Sequence, residues 1–208
     1  DAAFALGQKT ARHLLYSASN HLPHSSFVLT RQPDQGFSQR GDGSDYNHLW
    51  NGQTPMDAWY LAGLLLPGDA AIVQGWLMNY LHVQQEDGFI DWKPGLVGQR
   101  SRLLATPILA SLAWRVYETT QDRAFLAQVF QPLLDFINAW FTPQQDRDGD
   151  GIPEWSHAMQ SGFDDNPLFA RWHAWGQGLD ITLVEDPALC ALLYREINTL
   201  VKIAKLLN

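Results

Sequence analysis

The sequence has one cysteine in 208 residues, Cys190. An intrachain disulfide framework and any Cys-based metal cluster are thereby excluded. It also has no run of Lys or Arg, and 14 basic against 22 acidic residues leave a net charge of −8. No nucleic-acid partner is expected, because a phosphate backbone needs a basic face. No apolar stretch reaches the roughly 18 residues of a membrane span. The longest, around Leu61 to Leu66, stops at Pro67-Gly68, so no membrane partner is expected either. A Gly-x-Ser-x-Gly elbow, a Gly-x-Gly-x-x-Gly fingerprint and a P-loop are all missing, which removes three common enzyme classes. The seven histidines are scattered, with His21 and His24 the close pair, so a zinc site is not expected. The chain starts at Asp1 without an initiator Met, which predicts a processed chain or an excised fragment and leaves its compartment unknown.

What is present is apolar and aromatic. Hydrophobic residues make up 46% and charged residues 17%, too apolar a balance for disorder. Nine tryptophans are a further signal, since a flat indole suits both core packing and the apolar face of a sugar ring.

Apolar residues recur at helical spacing in six segments: 2–18, 55–66, 69–84, 101–118, 122–141 and 187–207. The last has a sharp start, with Asp186 as N-cap and Pro187 at the first helical position. Thr106-Pro107 gives a similar signal for the fourth. Pro132 should kink or split the fifth. The tempting strand is Ser26 to Thr30.

Links between these helices alternate in length. Residues 67–68 and 119–121 are short turns, whereas 19–54, 85–100 and 142–183 are long and rich in Gly, Asp, Pro, Trp and His. Antiparallel helices joined in this way place every long link at one end, and long loops in a compact domain usually carry function. Trp59, Trp76, Trp114 and Trp140 lie in helices and are expected in the core. Trp50, Trp92, Trp155, Trp172 and Trp175 lie in loops and are better candidates for sugar stacking. Cys190, beside Leu189 and Leu193, is expected to be a buried, inert thiol.

The third long loop contains Asp146-Arg147-Asp148-Gly149-Asp150-Gly151-Ile152-Pro153-Glu154. Carboxylates at alternate positions, with glycines for the sharp turn, are what Ca²⁺ requires. The EF-hand pattern is incomplete, since His157 stands where its twelfth-position Glu would be. Asp146, Asp148 and Asp150 are thus either ligands of a structural Ca²⁺ or a solvated Asp/Gly turn. No cofactor is expected for catalysis.

Further along, Glu154-Trp155-Ser156-His157, Ser161-Gly162-Phe163-Asp164-Asp165-Asn166-Pro167 and Arg171-Trp172-His173-Ala174-Trp175 mix carboxylates with aromatic rings. Apolar surroundings raise a carboxyl pKa and keep a proton available to a general acid. An acidic, Trp-lined cleft also suits glycoside hydrolysis. A helix-capping turn is the plainer alternative.

The Ser161–Pro167 segment resembles the Ser-Gly-aromatic-Asp signature of the α/α-toroid glycosidases. That clan includes trehalase and glycoside hydrolase family 63, with its processing α-glucosidase I and its mannosylglycerate and glucosylglycerate hydrolases. Three other segments agree in order. Leu49-Trp50-Asn51-Gly52-Gln53-Thr54-Pro55 resembles the family's first active-face loop. Asp87-Gly88-Phe89-Ile90, with Gln99-Arg100 and Leu103-Leu104-Ala105, resembles the second. Val184 to Leu189, with Leu193-Tyr194-Arg195-Glu196, resembles the helix after the acid loop. The likeness runs from about Tyr46 to the C-terminus and is nearest to the bacterial members of family 63.

The resemblance implies an all-α fold of the (α/α)6-toroid type. Six helices make about half of such a toroid, so residues 1–208 are expected to be a partial catalytic domain whose remaining half comes from the parent chain. It implies an inverting α-glycosidase, acting on an oligosaccharide or small α-glucoside or α-mannoside, with Asp164 as general acid. Tyr46, Trp50, Asn51, Gln53, Gln99, Trp155, Asp165 and Trp172 would form the sugar site. The general base would be a downstream Glu; Glu154, Glu185 and Glu196 do not sit where the family places it. Two departures bear on which sugar is bound: Asn51 replaces the family's Asp, and Gly98-Gln99-Arg100-Ser101 replaces Ser-Gln-Pro-Pro. The alternative is a carbohydrate-binding or interaction module without turnover.

Overall fold

The computed structural model describes residues 2–27, 52–96, 98, 101–163, 166–170, 181–182 and 184–208. Among these residues the protein is all-α, with seven helices and one two-stranded ladder. The elements are α1 (Ala2–His13), β1 (Leu15–Tyr16), β2 (Ser26–Phe27), α2 (Pro55–Leu65), α3 (Ala70–His82), α4 (Leu109–Thr120), α5 (Arg123–Ala139), α6 (Pro167–Ala170) and α7 (Pro187–Leu207). A 3₁₀ turn, Ala158–Ser161, precedes α6. No described helix is long and apolar enough to cross a membrane.

Local chemistry explains most boundaries. Thr54 caps α2, its hydroxyl accepting from the Asp57 N–H at 3.1 Å, and Pro55 opens the helix. Asp122 and Asp186 cap α5 and α7 in the same way. Gln121 takes the left-handed conformation that ends α4.

Three expectations are corrected. The first helix stops at His13 instead of running to residue 18, because Leu15 and Tyr16 pair antiparallel with Phe27 and Ser26. The fourth starts at Leu109, later than either predicted start. Residues 103–105 are instead bonded across to the second loop, Trp92 N–H to Leu103 O and Ala105 N–H to Ile90 O. Pro132 does not split α5, which is continuous through it, while Gln84 Nε2 donates to the Pro132 carbonyl at 2.8 Å.

The helices form antiparallel hairpins, α2–α3 and α4–α5, with α1 against α2. The first hairpin packs through α3 on α4 of the second, α5 packs on α7, and α4 also meets α7 directly. This is the layering of an α/α toroid. Trp76 and Tyr80 of α3, Leu112 of α4, Leu133 and Phe136 of α5 and Leu189 and Ile203 of α7 are fully buried in one core. Each such side chain contributes roughly 1.5–3 kcal/mol.

Of the four tryptophans expected in helices, Trp76 and Trp140, the latter just past the end of α5, are buried and Trp59 and Trp114 half-buried. Cys190 is exposed, contrary to expectation. The buried stripe of α7 runs through Leu189, Leu193, Glu196, Leu200 and Ile203, and a residue next to Leu189 is rotated by about 100° away from it. Residual burial, then Asp186, raise the thiol pKa, so this cysteine is a poor nucleophile.

Candidate active face

The described ends of the three long loops lead into α2, α4 and α7 and are bonded to one another there. The Gln53 N–H, at the end of the first loop, donates to Pro94 O of the second at 3.0 Å. Gly52 lies so close to that segment that a Cβ would sit 2.5 Å from Pro94 O, and its φ of +121° also calls for glycine. The third loop touches the stretch between the second loop and α4, and the first turn of α2. Gln160 donates from Nε2 to Leu104 O at 2.8 Å, the Thr106 hydroxyl donates to Gln160 O, and a Cβ on Gly162 would stand 2.7 Å from Met56 Cγ. The positive ends of three helix dipoles therefore point toward an acidic set of loops.

The segment leading to the predicted acid is firmly built. His157 and Gln160 form a reciprocal cap over the 3₁₀ turn. Ser161 donates to Ala158 O at 2.7 Å and accepts from the Phe163 N–H at 3.1 Å. Gly162 ends the turn with φ +73°. Asp164 itself, with Asp165, Tyr46, Trp50, Asn51, Gln99 and Trp172, lies outside the described residues, as do Trp175 and Arg100.

Two predicted sugar-site residues are described, and both have structural surroundings. Gln53 is buried. Its Oε1 accepts from Ser26 Oγ at 2.8 Å and Asn79 Nδ2 at 3.3 Å, and its Nε2 donates to Trp76 O at 2.9 Å. Tyr80 OH donates to Gln53 O at 3.0 Å. Burial, with Asp57 nearby, holds this phenol well above its usual range, so it stays a donor. Trp155 is 1% exposed, its ring edge-on to Trp140 and its Nε1 donating to the α7 cap Asp186 at 2.9 Å. Sugar stacking needs an open ring face, which Trp155 does not offer here. Trp92 is buried too.

The Asp/Gly loop folds as a turn around its own carboxylates. Asp146 accepts from the Gly149 and Gly151 N–H groups at 2.9 and 3.1 Å, and Asp150 from Ile152 at 2.8 Å. Gly149 and Gly151 adopt positive φ. Glu154, which the Asp alternation did not single out, then joins it. Carboxylate oxygens of Asp146, Asp148 and Glu154 lie within 4.8 Å of one another, and so do those of Asp148, Asp150 and Glu185. Glu154 is 2% exposed, and while its Oε2 accepts from the Arg147 N–H at 3.2 Å, its Oε1 has no partner. A signal for Glu154 existed in the sequence. It occupies the ninth position counted from Asp146, with Gly151 at the sixth, as in a calcium loop. Glu185 had no such signal, being 31 residues further on. Asp150, then burial and Asp148, raise its carboxyl pKa.

Glu196 is a second acidic group, after Glu185, that spacing could not place. It is fully buried, and its carboxylate accepts from the Ala110 N–H at 2.6 Å, the Ser111 N–H at 3.0 Å and the Ser111 hydroxyl. It thus caps α4, whose own N-cap Ile108 offers no side-chain acceptor.

An all-α toroid layering, with a Ser-Gly-Phe segment anchored beside α2 and the stretch before α4, fits the framework of a glycoside hydrolase domain. The family model of the mannosylglycerate hydrolase MGH1-like glycoside hydrolase domain matches residues 46–208. The chain belongs to that family. A search of curated proteins found no significant match.

Proposed function

We propose that this chain carries the acid-bearing part of an inverting α-glycosidase, with Asp164 protonating the glycosidic oxygen of an α-glucoside or α-mannoside. The observation that carries this reading is the family match over residues 46–208, which takes in the Ser161–Pro167 segment and the loops it is bonded to. In this reading a water attacks from the opposite face of the ring, activated by a Glu expected downstream of the acid. Tyr46, Trp50, Asn51, Gln99, Asp165 and Trp172 complete the sugar site in this reading. The exposed apolar seam of Phe141 on one side and Ile197 and Val201 of α7 on the other supports packing by the remaining hairpins of the toroid.

The test is Asp164→Asn in the full-length protein that carries this chain. Loss of a general acid should lower kcat by about 10²–10⁴-fold on substrates with poor leaving groups. Near wild-type turnover of such a substrate removes Asp164 from the role. Sugar binding without any turnover by the wild-type protein favours the second reading, a carbohydrate-binding module.

We also infer that the 146–154 loop holds a structural Ca²⁺ through Asp146, Asp148, Asp150 and Glu154, with Glu185 closing the site. The buried, unpartnered Oε1 of Glu154 supports this beyond the acidic cluster itself, since a buried carboxylate oxygen without a partner is costly. The ion would bind residues on both sides of the acid segment, one set before it and Glu185 after it, and so hold its two flanks together. Calcium titration should raise Tm, and Glu154→Gln should abolish the rise. No Tm change with Ca²⁺ leaves the loop a plain turn.

A further inference from the structure

The acid segment is attached to the stretch between the second loop and α4 through buried side chains. Gln160 has no exposed surface. Its Nε2 donates to Leu104 O at 2.8 Å and its Oε1 accepts from the His157 N–H at 2.8 Å. Its backbone carbonyl accepts from the hydroxyl of Thr106, which is also fully buried. The acceptor Leu104 is itself paired with Asp91 across the second loop. Asp91 in turn accepts from Ser101 Oγ at 2.7 Å and the Arg102 N–H at 2.9 Å. That fixed loop therefore dictates where Gln160 sits.

Only a carboxamide meets both demands at this position. It donates in one direction and accepts in the other, whereas an ionised carboxylate only accepts and an aliphatic chain does neither. On its other side the segment lies flush against α2, because Gly162 leaves no space between the backbone and Met56. The Ser161 hydroxyl continues the restraint to Phe163. Two independent contacts thus define the position and direction of the chain one residue before the proposed acid.

We propose that Gln160, assisted by Thr106, is a positioning residue for the general acid. This rests on the reading of Asp164 given above. Gln160 does not touch the substrate. It fixes the turn Ala158–Ser161 that leads in sequence to Asp164, and through it the reach of the acid. A displacement of about 1 Å at a reacting group can cost about 10²-fold in rate.

The experiment compares leaving groups in the full-length protein, using methyl α-mannoside and methyl α-glucoside against the corresponding α-glycosyl fluorides. A departing alkoxide needs the acid's proton and a departing fluoride largely does not. Gln160→Leu and Gln160→Glu should lower kcat on the methyl glycoside by about 10- to 100-fold, with fluoride hydrolysis and KM near wild type. An equal fall on both substrates makes Gln160 a purely structural residue and overturns the proposal, as does no fall on either. Asp164→Asn is the control. If it shows no leaving-group dependence, the acid assignment fails, whatever Gln160 does. Should both Gln160 variants fail to fold, Thr106→Val removes only the hydroxyl bond to Gln160 O. It should show the same split at smaller size, and its absence there overturns the proposal.

Discussion

Two buried glutamates flank the acid segment, and their surroundings could hardly differ more. Glu196 lies within α7 and has both carboxylate oxygens occupied, by two N–H groups and a hydroxyl of the first turn of α4. Glu154 lies at the end of the Asp/Gly loop with one oxygen accepting a single N–H and the other unmatched. Burial alone would nominate either as a functional carboxylate. What separates them is whether the protein itself satisfies the group. A satisfied buried carboxylate is a structural part, here a helix cap supplied from another helix. An unsatisfied one has room for a ligand, and the proposed Ca²⁺ rests on that difference.

The largest effect should come from breaking the satisfied member. Glu196→Ala leaves the Ala110 and Ser111 N–H groups and the Ser111 hydroxyl without an acceptor in the core. Each buried unpaired group costs roughly 1–3 kcal/mol, so the loss should be about 3–5 kcal/mol. That is a large share of a typical domain stability of about 5–15 kcal/mol. Urea unfolding checks it, and a loss below about 1 kcal/mol would mean that water takes over the cap.

Breaking the unsatisfied member should have the opposite signature. In chelator, Glu154→Gln should leave stability unchanged or slightly raised, since it removes a charge from a buried site that does not solvate it. With Ca²⁺ at about 100 times its Kd, the wild-type protein should gain about 2.7 kcal/mol and the variant much less. Parallel gains in both proteins would place the ion elsewhere. Glu196→Gln should respond to Ca²⁺ as the wild type does, which separates the two sites in one experiment.

The frame was legible in the sequence because helices announce themselves locally. The apolar spacing of 55–66, 69–84, 122–141 and 187–207, with Asp186 as a cap, leaves little freedom, and the structure adds Thr54 and Asp122 as caps. Boundaries set by partners distant in sequence were not legible. Residues 101–108 look helical, yet Leu103 and Ala105 bond through their backbones across to the second loop. The same holds within the candidate site. Trp155 and Gln53 lie in loops and suit sugar binding by residue type, but Trp140, Asp186, Ser26 and Trp76, distant in the chain, engage them. Glu185 comes within reach of Asp148 and Asp150 only through the fold. Motif order revealed the family, and the fold then determined which of the motif's neighbours face inward.

The smallest effect tests whether the Glu196 cap is held more by its donors or opposed more by its burial. Burial raises its carboxyl pKa above the ordinary 4.5, and the hydrogen bonds from Ser111 and Ala110 pull it only part of the way back. The folded protein then holds the proton more tightly than the unfolded chain. The group's contribution is complete below pH 4.5 and is lost as pH rises through the folded value. Stability of the wild type relative to Glu196→Gln should therefore fall across that window, by no more than about 1.4 kcal/mol per pH unit, and then level off. Urea titrations of both proteins from acid to neutral pH measure this difference directly. A difference that widens with rising pH would reverse the balance: the α4 donors would then favour the ionised carboxylate by more than desolvation opposes it, and the cap would work best charged.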